Sequence, residues 1–218
     1  MPVPVRHMKE ELARAAFELF AERGIHHVTL DAIAAKAGVT KGSLYWHYHG
    51  KKEVILAAAA VYYRDWLRGA HARIASTADP LGQIRRVWRM SVEMCLFDRP
   101  RRVFSTEIFA LSLHDAEIRA SWSQFYDSVQ ELFVGLIQAA VNAGCLRAPD
   151  PRRTAEWMLA TFEGIKHRAS FQPQVCTRAE RDALVEGFMQ VLSALSAATE
   201  SAGPRAAVCR SRARPSAG

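Results

Sequence analysis

Apolar residues recur every three to four positions over nearly the whole chain, with polar residues between them. Leu12, Ala16, Leu19 and Phe20 make the first such stripe. This spacing predicts helices that each bury one face. The two-residue alternation of strands is rare, and Ala, Leu, Glu, Arg and Gln dominate. Helix boundaries are marked as well. Gly24 follows Arg23 as a helix stop. Asp79-Pro80 and Asp150-Pro151 each place a capping acceptor before a proline in the first turn. Thr177 and Glu180 have the spacing of a capping box. Ser112 or His114 opens a further helix, and Pro100 and Pro173 interrupt. The pattern predicts about nine helices, near 6–23, 30–37, 41–48, 51–76, 80–97, 101–112, 115–143, 151–170 and 177–198. The first three are short and close-set, and the others are long. The expected division is therefore an N-terminal unit over 1–50, a larger helical unit over 51–199, and a tail over 200–218. That tail lacks periodicity and is rich in arginine, so it reads as a disordered basic segment. The fold class is all-α.

Composition adds constraints. The chain of 218 residues is 50% hydrophobic, enough for a core, and its formal charge of +7 favours polyanionic partners. Cys95, Cys145, Cys176 and Cys209 are widely separated and show no metal-ligand spacing, so they read as reduced thiols. The first twenty residues are too charged for a signal peptide, and no apolar run reaches the length of about 18 needed to span a membrane. The expected location is cytoplasmic, with no membrane partner. No phosphate-binding glycine loop, zinc-protease motif, nucleophile elbow or credible triad occurs, so an enzyme is not expected, and neither is a cofactor or metal. His47 and His49 straddle Tyr48, but a groove-facing role accounts better for His47 than chelation does.

The stretch "AGVTKGSLYWHY", Ala37 to Tyr48, crowds rings and a cation into two helical turns. Its spacing fits a helix-turn-helix. Ala34 is small where two helices must cross, and Gly38 supplies a turn that needs positive φ. Leu44 and Tyr48, four apart, pin the second helix to a core completed by Ile33, Ala37 and Val39. Thr40 caps that helix. Lys41, Gly42, Ser43, Tyr45, Trp46 and His47 then form an outward face, costly in water but suited to a DNA major groove. Gly42 permits close backbone approach, Lys41 and Ser43 reach phosphate or base edges, Tyr45 and His47 offer polar tips to phosphate, and Trp46 presses on methyls or sugars. Lys51 adds a phosphate clamp. Thr29 caps the preceding helix, whose N-terminus faces a phosphate.

The segment "TLDAIAAKAGVTKGSLYWHYHGKKEVI", with "AAFELFAERGIHHVTL" before it, resembles the DNA-binding region of the tetracycline-repressor (TetR) family from about Glu11 to Leu56. The resemblance implies a homodimer with a three-helix reading head and a C-terminal helical domain for a small effector and for dimerisation. It implies DNA contacts at Thr29, Lys41, Gly42, Ser43, Tyr45, Trp46, His47 and Lys51. Asp31 stands where some members carry a DNA-contacting arginine, and His49-Gly50 departs from the commoner run, which bears on the operator sequence.

The remaining helices carry Trp, Phe and Met at helical spacing, the pattern of a core that can also line a cavity. The candidate lining is Trp88, Met94, Phe109, Trp122, Phe125, Tyr126 and Phe162, with Glu93, Glu107 and His167 as polar groups. Such a cavity suits a cation, an apolar acid or an aromatic compound. The order of motifs here resembles effector domains of the choline-sensing repressor type, without transferring a ligand. Ala160 and Gly164 allow close helix approach, and Val185, Phe188, Met189, Leu192 and Leu195 form a stripe. In the resembled family the last two helices of each subunit build a four-helix bundle across a two-fold axis. The expected function is a ligand-responsive repressor that binds a palindromic operator as a dimer and leaves it when effector displaces the helix from Lys51 to about Ser76. A constitutive DNA-binding regulator without effector is the rival.

Overall fold

The computed structural model describes residues 5–201 apart from Pro149. Nine α-helices run through them: α1 (Val5–Arg23), α2 (Leu30–Lys36), α3 (Lys41–His47), α4 (Lys51–Ala75), α5 (Pro80–Ser91), α6 (Arg99–Ser112), α7 (Ala116–Asn142), α8 (Pro151–Arg168) and α9 (Arg178–Ser201). Short 3₁₀ turns lie at Ile25–His27 and Pro173–Cys176, and no described residue is in a strand. The tail from 202 onward, Cys209 included, lies outside the described residues, as does the side chain of Leu195.

Local chemistry sets these boundaries. Asp79 accepts from the amides of Leu81 and Gly82, Asp98 from Arg101, and Asp150 from Arg153, each ahead of a proline that needs no donor. Thr177 Oγ1 accepts from Glu180 N at 3.4 Å, one half of a capping box. Two expectations are corrected. Pro100 lies inside the first turn of α6 and does not interrupt it, because a first-turn residue has no helical donor to lose. Neither Ser112 nor His114 opens α7. Ser112 ends α6, and Asp115 caps α7 by accepting from Glu117 N at 2.9 Å and Ile118 N at 3.1 Å. The helix expected to run on to residue 97 changes pitch after Ser91 into a π turn, Val92–Phe97, closed by Asp98 N donating to Glu93 O.

One continuous apolar cluster joins the helices, from Leu12 on α1 to Leu192 on α9. Phe17 and Phe20 of α1 meet Phe104 of α6, and Phe17 also approaches Tyr62 of α4. Deeper in, Phe125 of α7 stacks on Tyr63 with ring centroids 4.3 Å apart. Trp88 of α5 stacks on Phe188 of α9 at 4.0 Å and meets Phe162 of α8 edge-on. Ion pairs of Arg85 with Glu186 and of Arg89 with Asp182 and Glu186 tie α9 to α5. Val185, Met189 and Leu192 are buried in this same core.

Candidate nucleic-acid interface and ligand cavity

α2 and α3 form a helix-turn-helix whose corner is a Schellman motif. Val39 N donates to Ala34 O and Gly38 N to Ala35 O, while Gly38 adopts φ 69°, the left-handed region open to glycine. Ala34 is buried where the helices cross. The two caps are equivalent: Thr29 Oγ1 accepts from Ala32 N and Thr40 Oγ1 from Ser43 N, each at 3.2 Å. α3 is anchored from beneath. Leu44 is fully buried, and Tyr48, just beyond the helix, donates its hydroxyl to Lys9 O at 2.9 Å. Burial pushes the Tyr48 phenol up to about 12, so it keeps its proton and its donor role.

The opposite face of α3 is open. Trp46 is 69% exposed and Tyr45 44%, although both are large rings; Lys41 and Gly42 are exposed, and Ser43 and His47 half-buried. The Trp46 and His47 rings meet edge-to-face with centroids 4.9 Å apart. The cations differ in their surroundings. Lys41 Nζ pairs with Asp31 at 2.8 Å, and the bond to that carboxylate raises its pKa. The Asp31 carboxylate is thus spent on Lys41. Lys51, half-buried at the start of α4, makes no ion pair among the described residues, whereas its neighbour Lys52 is held by Asp115 and Glu117 of α7. His49 N donates to Glu53 at 2.9 Å and fixes the entry to α4.

Between α4, α5, α7 and α8 lies an aromatic chamber lined by Tyr62, Trp66, Trp88, Trp122, Phe125 and Phe162, among others. Its free volume is about 40 Å³, room for about one water. A vestibule of about 590 Å³, lined by Phe109, Asp127 and His167 among others, adjoins it. Trp122, Tyr126, Glu163 and Lys166 belong to both spaces. Seven of the sequence candidates are therefore brought together: Trp88, Trp122, Phe125, Tyr126 and Phe162 within, Phe109 and His167 at the mouth. Glu93 and Met94 are not. The π turn places them in a separate surface groove with Arg14, Asp65 and Arg101. Glu107 is also elsewhere, its carboxylate accepting from Ile25 N at 2.7 Å in the turn after α1. The carboxylate shared by both spaces is Glu163 and their shared cation is Lys166, neither of them among the candidates. Lys166 is 5% exposed. One signal in the sequence points to it: Ala155, Met158, Leu159, Phe162 and Lys166 share one helical stripe, so the lysine occupies an apolar register position. The indole Nε1 of Trp88 is buried with no hydrogen-bond partner.

Among the described residues no group of three or more His, Cys, Asp or Glu side chains could hold a metal, and no helix is long and apolar enough to cross a membrane. Cys95, Cys145 and Cys176 are free thiols.

Comparison with known proteins places both halves. Residues 12–58 match the model of bacterial regulatory proteins of the tetR family, and residues 80–194 that of the C-terminal region of BetI-type transcriptional repressors. The chain is 32% identical over 184 residues to the transcriptional regulator TtgR of Pseudomonas putida, covering 75% of this chain and 84% of that protein. It is 46% identical over 55 residues to TtgW of the same species, a match that takes in 25% of this chain and 41% of that protein, less than half its length. A regulator from Saccharomonospora viridis, solved in complex with choline, superposes with a TM-score of 0.72 over 86% of this chain and 94% of that one at 19% identity. At that identity the likeness speaks for the fold.

Proposed function

The chain belongs to the TetR family of helix-turn-helix transcriptional regulators, which are DNA-binding proteins and not enzymes, and from that membership we propose that it is a repressor that grips a palindromic operator as a homodimer and is released by a small aromatic-seeking effector. The observation that carries this reading is the exposed Tyr45–Trp46 face on a helix anchored by Leu44 and Tyr48. Rings held out in water on a rigid support favour a partner that covers them. On this reading residues 1–50 are the reading head. Thr29, Thr40 and Gly42 bring backbone amides up to phosphate, Lys41, Ser43 and Trp46 meet base edges, and Tyr45, His47 and Lys51 hold the backbone. Lys41 exchanges Asp31 for DNA at little cost, because pairs this exposed contribute little.

Residues 51–199 hold the effector in the chamber and vestibule and form the dimer. Support for the dimer comes from α8 and α9. An apolar groove of about 520 Å³ runs between them, rimmed by Trp157, Leu184 and Val191. Trp157 is 60% exposed, and Ala160 and Gly164 beside it leave room for a facing helix. A second copy across a two-fold axis covers this groove and sets two α3 helices about 34–36 Å apart, one helical turn of DNA. Effector arriving among α4, α7 and α8 shifts α4 and changes that separation; a coupling of about 1–3 kcal/mol lowers operator affinity roughly 5- to 150-fold.

The experiment is selection of bound duplexes from random DNA by the full chain, repeated with candidate effectors. A two-fold symmetric site, lost on adding one compound, is the expected result. Enrichment of no sequence, or of an asymmetric half-site only, overturns the reading.

A further inference from the structure

The ammonium of Lys166 lies 5.4 Å from the centre of the Trp122 ring and 2.7 Å from a Glu163 oxygen. An aromatic face beside a carboxylate is the arrangement that recognises an organic cation. Here the chain's own ammonium already fills it. That charge is covalently part of α8 and is only 6% exposed, so an incoming cation would have to share a desolvated aromatic space with a like charge.

Lys166 also stands where chamber and vestibule meet. Glu163 is its one ion-pair partner among the described residues, and an ammonium has three protons to donate. The deeper indole Nε1 of Trp88 is another donor without an acceptor. The site therefore has donors to spare and its cation position is taken.

We propose that Lys166 is the specificity-determining residue of this cavity, excluding organic cations such as quaternary amines and selecting a flat aromatic molecule that carries a hydrogen-bond acceptor. The ring rests in the vestibule against Phe109, Trp122 and Tyr126, and the acceptor turns inward to the lysine. Asp127 and Glu163 at the mouth disfavour a highly charged anion, so an uncharged acceptor such as an aryl ketone fits best. This inference rests on reading the cavity as the effector site.

Three of the five tryptophans, Trp66, Trp88 and Trp122, line the chamber, so fluorescence reports occupancy directly. The full chain is titrated with 4-hydroxyacetophenone and with choline, as wild type, as Lys166→Met, and as Lys166→Met combined with Glu163→Gln. Wild type is expected to bind the ketone saturably and ignore choline. Lys166→Met should lose roughly tenfold or more in ketone affinity, the usual effect of deleting a charged hydrogen bond, and should gain choline binding that the double variant loses again. Choline quenching of the wild type that Trp122→Phe abolishes would overturn the proposal. So would failure of the wild type to bind the ketone, or ketone binding unchanged in a Lys166→Met protein of normal helicity. If Lys166→Met does not fold, the two wild-type titrations decide alone. Operator release by a compound of another class would sink the ligand assignment and leave the switch standing.

Discussion

Lys41 and Lys51 flank the same exposed helix, and what each one touches separates their roles. Lys41 is tethered to Asp31, so its ammonium is held at the start of α2. Lys51 has no ion-pair partner among the described residues. Lys51→Ala should weaken binding to every duplex alike and reduce the slope of log affinity against log salt by about one, measured by titration across a salt series. An unchanged slope removes Lys51 from the phosphate contacts. Trp46→Ala should instead change which duplexes are enriched, read by repeating the selection. A uniform loss of affinity would mean that Trp46 only packs on sugar. These residues were visible in the sequence because a seven-residue helix with Leu44 inside leaves few positions that can face in. Lys166 was not, since a lysine in an apolar stripe reads as snorkelling to water until its neighbours are known.

Beside the ring contacts of Phe17 and Phe20 with Phe104 and the ion pairs Arg14–Asp65 and Arg64–Glu10, two polar ties act close to the N-terminal helices. Glu107 on α6 holds Ile25 N, and Lys52 at the head of α4 bridges to Asp115 and Glu117 at the head of α7. Gly24, with φ 84°, lies against the Glu107 carboxylate so closely that a Cβ would sit 2.9 Å from its oxygen. A shift of α6 is thus delivered to the turn between α1 and α2. Glu107→Ala should leave operator binding in place but raise the effector concentration needed for release, by roughly fivefold if about 1 kcal/mol of coupling is lost; release curves by fluorescence anisotropy test this. The second tie is pH-sensitive. Backbone bonds from Ile118 and Glu117 and the charge of Lys52 hold the Asp115 carboxyl below its usual range. A lowered folded value means that the stabilisation is complete above the unfolded value near 4 and fades as pH falls through the folded one. Melting curves of wild type and Asp115→Asn should therefore differ at neutral pH and converge as the pH falls below the unfolded value near 4. A constant gap would assign the effect to something other than ionisation.

At the scale of the whole molecule, the groove between α8 and α9 is the feature that a single chain leaves unfinished. Val185, Met189 and Leu192 of the α9 stripe are buried in the chain's own core, while Phe188 is half-buried at the groove and Trp157 and Val191 stand exposed beside it. Trp157→Arg places a charge in the middle of the proposed interface at a position already open to solvent. Light scattering should show half the wild-type mass, with helicity unchanged and operator affinity greatly reduced, because one short helix reads too few base pairs. A dimer that survives this substitution moves the interface elsewhere.

Periodicity, proline-acid pairs and one glycine corner were enough to place nine helices within a few residues and to single out the helix with an exposed ring-rich face, because those signals are local and act within one or two turns. The pitch change after Ser91 and the company kept by Glu93, Glu107, Glu163 and Lys166 were decided only by tertiary packing. A stripe of apolar positions says which face of a helix is buried and nothing about what it is buried against. Which carboxylate meets which cation across a cavity depends on the rotation and depth of helices far apart in the chain.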